Sequence, residues 1–109
     1  MSQTHNSRRT KLESFVAANP ADAFARYGLA MECVNAGDYE AALSHFRELL
    51  AHSPAYVSGY QQLGQLLAKL NRASEARQAF HSGIAAARKA GNDHARDEMQ
   101  AALDSLSPG

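Results

Sequence analysis

The stretch that decides the fold runs from Asn35 to Tyr56 and reads NAGDYEAALSHFRELLAHSPAY. It opens on Gly37 and Asp38, a pair suited to a tight turn followed by a helix N-cap. Ala42, Phe46, Leu49 and Leu50 then recur at the spacing of one helical face. Pro54 ends the run, because the residue before a proline is pushed out of the helical region, and proline can itself open the next helix. The stretch reads as a turn, a helix and a stop.

Working outward, the same punctuation returns 34 residues along the chain. Pro20 falls on Pro54, Leu29 on Leu63, Ala42 on Ala76 and Phe46 on Phe80. Gly37 falls on Asn71, and both residue types tolerate the left-handed conformation that a tight helix–helix turn needs. In the other direction Leu12, Phe15 and Val16 fall on Phe46, Leu49 and Leu50. Shared helical periodicity alone would not bring the turns and prolines into line as well. Each unit is therefore expected to hold two helices. The first carries Leu29, Cys33 and Ala36, or Leu63, Leu67 and Leu70, at i, i+4, i+7 spacing. The second carries Ala42, Phe46, Leu49 and Leu50, or Ala76, Phe80 and Ile84. Asp38 and Ser74 are the expected N-caps of the second helices.

This pattern resembles the tetratricopeptide repeat, a 34-residue helix–turn–helix unit. One copy is placed at residues 23–56 and another at residues 57–90. The second copy shows YQQLGQLL, Tyr60 to Leu67, which is similar to the family's aromatic-x-x-Leu-Gly signature. Small residues recur where the two helices of a unit approach each other, at Ala30 or Gly64 and at Ala42 or Ala76. The first copy departs from the family at Arg26, where a large aromatic is usual. The resemblance implies an all-α fold, a right-handed α-solenoid of antiparallel helix pairs with about six helices.

The ends carry half-units. Residues 8–18 match only a second helix, and a single domain is expected over residues 8–106, with residues 1–7 and 107–109 as unstructured ends. After residue 90 the offset becomes 36, so that Met99 falls on Leu63, Leu103 on Leu67 and Leu106 on Leu70. A terminal capping helix is expected at residues 93–106, with Arg96, Asp97, Glu98, Gln100 and Asp104 as the polar exterior that keeps a repeat stack soluble.

Composition narrows the function classes. The 109 residues include eleven basic and eleven acidic side chains, so no net field draws the chain to nucleic acid or to an anionic membrane. The one cysteine, Cys33, excludes an internal disulfide and suits a reducing compartment. The polar start, MSQTHNSRRTK, reads as neither signal peptide nor anchor, and a cytoplasmic, soluble protein is expected. Charge is uneven: residues 57–90 hold five basic residues against Glu75, whereas residues 91–109 hold Arg96 against four acids.

No constellation for catalysis is present. The five histidines make no i, i+4 pair, Cys33 lies on a core stripe, and no Gly-rich phosphate loop occurs. The expectation is a non-enzyme without cofactor or metal.

The family resemblance assigns a partner-facing groove to the first helices. Carried over position by position, it points to Phe24, Tyr27, Met31, Val34 and Asn35 in the first copy. In the second copy it points to Ser58, Gln61, Gln65, Ala68 and Lys69, with Gln62 adjoining. Phe24, Tyr27 and Met31 step by three and four, so they share a helical face distinct from the Leu29/Cys33 stripe. Such a second apolar stripe is covered by something or left as a binding patch. Gln61, Gln62 and Gln65 offer paired donors and acceptors. The expected role is a protein–protein interaction module for a peptide or helix of a partner. The alternative is a structural protein that forms a homodimer through the same apolar face. The Lys/Asn clamp with which some family members grip a C-terminal carboxylate is missing from the corresponding positions.

Overall fold

A computed structural model describes the backbone of residues 3–106 and the side chains of residues 8–106. Among the described residues there are six helices and no strand: α1 (Gln3–Ala18), α2 (Ala23–Asn35), α3 (Tyr39–His52), α4 (Val57–Lys69), α5 (Ala73–Ala90) and α6 (Asp93–Asp104). The fold is all-α and built of helix hairpins. The chain forms two compact units, Met1–Ser53 and Pro54–Gly109, and they divide just ahead of the expected repeat boundary.

In the first unit α2 packs on α3, and α1 packs on α2. The α2–α3 turn follows from backbone chemistry. Gly37 takes φ 77°, its N–H donates to the Val34 carbonyl, and the Asp38 N–H donates to the Cys33 carbonyl. This pair of bonds satisfies carbonyls that the helix end would otherwise orphan. Asp38 then caps α3 by accepting from the Ala41 N–H at 3.4 Å. The core consists of Val16, Leu29, Ala30, Cys33, Ala42, Leu43, Phe46 and Leu49.

In the second unit α4 packs on α5, and α6 packs on α5 while touching α4. Asn71, at φ 61°, repeats the turn chemistry, with Asn71 N–H on the Ala68 carbonyl and Arg72 N–H on the Leu67 carbonyl. Leu63, Leu66, Leu67, Ala76, Ala79, Phe80, Ile84, Ala87, Ala95 and Met99 form the core. Here the helices approach closely. A methyl group added at Gly64 would lie 2.5 Å from Cε1 of Phe80, and one added at Gly83 would lie 2.7 Å from Cβ of Tyr60. Phe46 and Phe80 are both fully buried, so the equivalent aromatics both anchor a core.

Several sequence expectations need correction. Ala36 is exposed rather than a core residue, because α2 ends at Asn35 and Ala36 is its C-cap, where the chain turns toward Gly37. Ser74 is not the N-cap of α5. The turn through Asn71 sets the helix start at Ala73, so Arg72 occupies the cap position and Ser74 falls in the first turn. Helix α1 begins at Gln3 rather than at residue 8, so residues 3–7 are not an unstructured end. Good helix formers such as Gln3, Arg8, Arg9 and Lys11 extend a helix once Leu12 and Val16 have packed it. Helix α6 ends at Asp104, with Ser105 as its cap, two residues short of the expected limit. The expectations for residues 1, 2 and 107–109 lie outside the described residues.

Candidate functional site

In the first unit the candidate face lies on α2. Asp22 caps this helix by accepting from the Ala25 N–H at 3.0 Å, which fixes where the helix begins. Phe24, in the first turn, is 80% exposed, a large apolar area to leave in water. Tyr27 and Met31 follow on the same face, both half-buried. The Tyr27 ring meets buried Phe46 edge-on, with centroids 6.3 Å apart, so part of this residue belongs to the core. Val34 is half-buried and Asn35 is exposed at the helix end. Helix α1 does not cover Phe24. It packs one turn further along α2, where Leu12 lies 4.0 Å from the point a Cβ of Gly28 would occupy, and leaves Phe24 at the open end of the contact.

In the second unit the candidate residues lie on α4. Gln61 and Gln62 are half-buried, and Ser58, Gln65 and Lys69 are exposed. The glutamines do not act as one free ladder. The Gln61 amide donates to Oε1 of Glu98 at 3.0 Å, because α6 runs beside α4 and brings its carboxylate to that point. Gln65 and Ala68 instead border an open hollow of about 400 Å³ that Phe80, Ala102, Ser105 and Leu106 also line.

Ion pairs tie α1 to the α2–α3 hairpin. The Arg9 guanidinium donates to Asp38 at 2.9 Å and to Glu13 at 3.2 Å, and Arg8 approaches Glu32 at 3.8 Å. The bond from Arg9, reinforced by the Ala41 N–H, holds the Asp38 carboxyl below the usual carboxylate range. Burial pushes the Cys33 thiol up, so it stays protonated and behaves as a small hydrophobe. His45 is pushed down by burial and then by the Arg26 charge, whose Nη1 lies 3.4 Å from Nδ1. Among the described residues no group of three or more His, Cys, Asp or Glu is placed to hold a metal ion. Nor is any described helix long and apolar enough to cross a membrane.

The sequence reading missed one feature. A hollow of about 590 Å³ opens between α1 and α2, with Leu12 and Phe15 on one side and Phe24, Ala25 and Gly28 on the other. Phe15 is 47% exposed there, although the equivalent Leu49 is fully buried. The signal lay in Phe15 itself, an aromatic on the apolar stripe of α1 at the place of buried Leu49.

Comparison with known proteins accords with this architecture. Two tetratricopeptide repeat family models match the chain, one over residues 34–104 and the other over residues 2–61. A TPR repeat-containing protein of Pseudomonas aeruginosa is 33% identical over 95 residues, covering 87% of this chain and 90% of the relative. The solution structure of a tetratricopeptide repeat domain protein from Salinibacter ruber superposes with a TM-score of 0.73 at 37% identity, covering 77% of this chain and 85% of that one. A protein of Bordetella parapertussis superposes with a TM-score of 0.74 at 30% identity, covering 88% of this chain and 84% of its own.

Proposed function

Because this chain belongs to the tetratricopeptide repeat family, we propose that it is a non-catalytic protein-interaction module that presents the first helices of its repeats to a peptide or helix of a partner protein. Tetratricopeptide repeat domains are generally protein-interaction modules. A solenoid fold does not dictate its ligand, so the site must carry the rest of the reading.

One observation carries it: Phe24, 80% exposed, stands on the same face of α2 as Tyr27 and Met31. Aromatic and methionine side chains supply large contact area and adapt to different partner shapes. Asn35 adds a polar end to this stripe. On α4 the exposed Gln65 and Lys69, with the half-buried Gln62, offer hydrogen-bonding groups to a partner backbone. Gln61 belongs to the set only if a ligand displaces Glu98.

Tyr27→Ala combined with Met31→Asp tests this reading in a pull-down from the native cell extract. Loss of the captured protein, with helical content and mass unchanged, is the expected result. Unchanged capture would reject the face. A wild-type dimer that the same change turns into a monomer would instead support the homodimer alternative. Since Tyr27 also touches Phe46, Met31→Asp alone serves as the control that spares the core.

A further inference from the structure

We propose that the hollow between α1 and α2 is a second docking seat, and that its occupant is an amphipathic helix of another protein with acidic residues along one flank. The seat goes beyond the α2 face, because Arg8, Lys11 and Phe15 of α1 take no part in that face.

The molecule contains a template for what belongs there. In the second unit, helix α4 lies on α5 and touches α6. Gly64 of α4 abuts Phe80, and Tyr60 abuts Gly83; Ala76 and Ala79 are buried on the same face of α5. At the side, Gln61 of α4 binds Glu98 of α6. By the repeat offsets, the corresponding positions in the first unit are Arg8, Lys11, Leu12 and Phe15 on α1, and Gly28 on α2. These residues line the hollow, so its shape is that of a seat for a helix crossing α1 and α2. Its floor is apolar, with Leu12 beneath and the exposed rings of Phe15 and Phe24 at the sides.

The differences between the seats select the occupant. Small Ala76 and Ala79 stand on the α5 face, whereas Arg8 and Lys11 place two cations on the α1 rim of this seat, and Asp22, which caps α2, is the one acid on the opposite rim. Arg8 is 75% exposed and Glu32 is 3.8 Å away, so its charge is only partly met. A helix entering here needs an apolar stripe for Phe15 and Leu12 and acidic residues toward the rim. A second copy of this chain does not supply that helix. On α6, Ala95 and Met99 are already buried and Ala102 and Leu103 half-buried, so the exposed residues are mostly polar: Asp93, Asp97, Gln100 and Asp104. A symmetric pairing through α1 would set Arg8 and Lys11 against their own copies.

The test uses the full chain and a labelled synthetic helix of about four turns, with leucines at i, i+4, i+7 spacing and glutamates on one flank. A twin peptide carries lysines in place of the glutamates. Fluorescence anisotropy should show the glutamate peptide binding at least about fivefold more tightly than its twin. Arg8→Glu with Lys11→Glu should invert that order, Phe15→Asp should remove binding, and His81→Ala, an exposed position on α5, should leave it unchanged. The charge exchange lies on the surface, so it remains informative if Phe15→Asp disturbs folding. Equal binding of the twins, no binding, or indifference to the α1 substitutions would overturn the seat. A concentration-dependent dimer dispersed by the charge exchange would assign the seat to a second copy and overturn the proposed occupant. If the peptide binds while Tyr27→Ala/Met31→Asp leaves cellular capture intact, the α2-face reading fails and the seat stands.

Discussion

The hairpins α2–α3 and α4–α5 lie 34 residues apart in sequence and share one turn geometry, yet they are secured by different chemistry. In α2–α3 the small position of the first helix is Ala30, the first-turn position is Arg26, the turn residue is Gly37 and the cap is Asp38. In α4–α5 the same places hold Gly64, Tyr60, Asn71 and Arg72. The first hairpin is strong at its turn, where glycine adopts a positive φ without penalty and an aspartate caps the next helix. The second pays a small backbone cost at Asn71 and has no side-chain cap, but its helices interlock through Gly64 and Phe80. A repeat therefore specifies its shape through a handful of positions, and a weakness at one is offset at another.

The largest expected effect breaks the interlock. In Gly64→Ala the new methyl group would sit 2.5 Å from a Phe80 ring that is itself fully buried and has little room to turn. Overpacking of this kind costs about 2 kcal/mol. The reverse exchange, Ala30→Gly, removes a buried methyl group and loosens a helix, costing about 1 kcal/mol. Urea denaturation of both variants checks the ordering. If Gly64→Ala were the milder change, the close approach of α4 and α5 would not be what holds the second hairpin.

Much of this was legible before any coordinates. Phe46, Phe80, Cys33 and the Gly37/Asn71 turns could be read because burial period and positive φ leave their mark on residue type. Ala36 and Ser74 were misread for a shared reason: helix ends are fixed by turn hydrogen bonds, and alanine and serine fit either side of such an end. The candidate face was legible only as a stripe. That Phe24 is exposed while Tyr27 leans on Phe46 depends on how the other helices pack around α2, which the spacing along α2 does not fix. The bond from Gln61 to Glu98 spans 37 positions, and no local pattern announces such a pairing.

A smaller effect should come from exchanging caps. Arg72→Asp supplies α5 with the acceptor that Asp38 gives α3, and places a negative charge at a helix N-terminus. A gain of about 1 kcal/mol is expected. Asp38→Asn sharpens the comparison from the other side. The Asp38 carboxyl is held low in the folded state by Arg9, so its contribution is full above the ordinary carboxylate range and is lost as pH falls through its depressed value. The asparagine variant should lose stability at neutral pH and lose part of the wild-type acid limb. Thermal melts from pH 7 to pH 3 would show both. A wild-type acid limb preserved in the variant would mean that Asp38 is not tied to Arg9.

The smallest effect concerns the departure at Arg26. Its Nε is buried without a hydrogen-bond partner, and its Nη1 faces Nδ1 of His45, an arrangement that works only while that nitrogen is unprotonated. In the second hairpin the equivalent Tyr60 hydroxyl donates instead to the Pro54 carbonyl at 2.8 Å, and Pro20 stands in the corresponding place ahead of Arg26. Arg26→Tyr should rebuild that bond and relieve the orphaned nitrogen, a gain below about 1 kcal/mol. His45 reports the change more sensitively. Burial and then Arg26 depress its folded pKa, so its contribution is full above the ordinary histidine value, about 6.5, and falls away as acid brings the pH down toward the lower folded value. Removing Arg26 should raise the folded pKa while leaving it below the ordinary value, since burial is the larger cause. The loss of stability on acidification should shrink accordingly. An NMR titration of the His45 ring measures this directly, and an unmoved midpoint would show that the two side chains are not coupled.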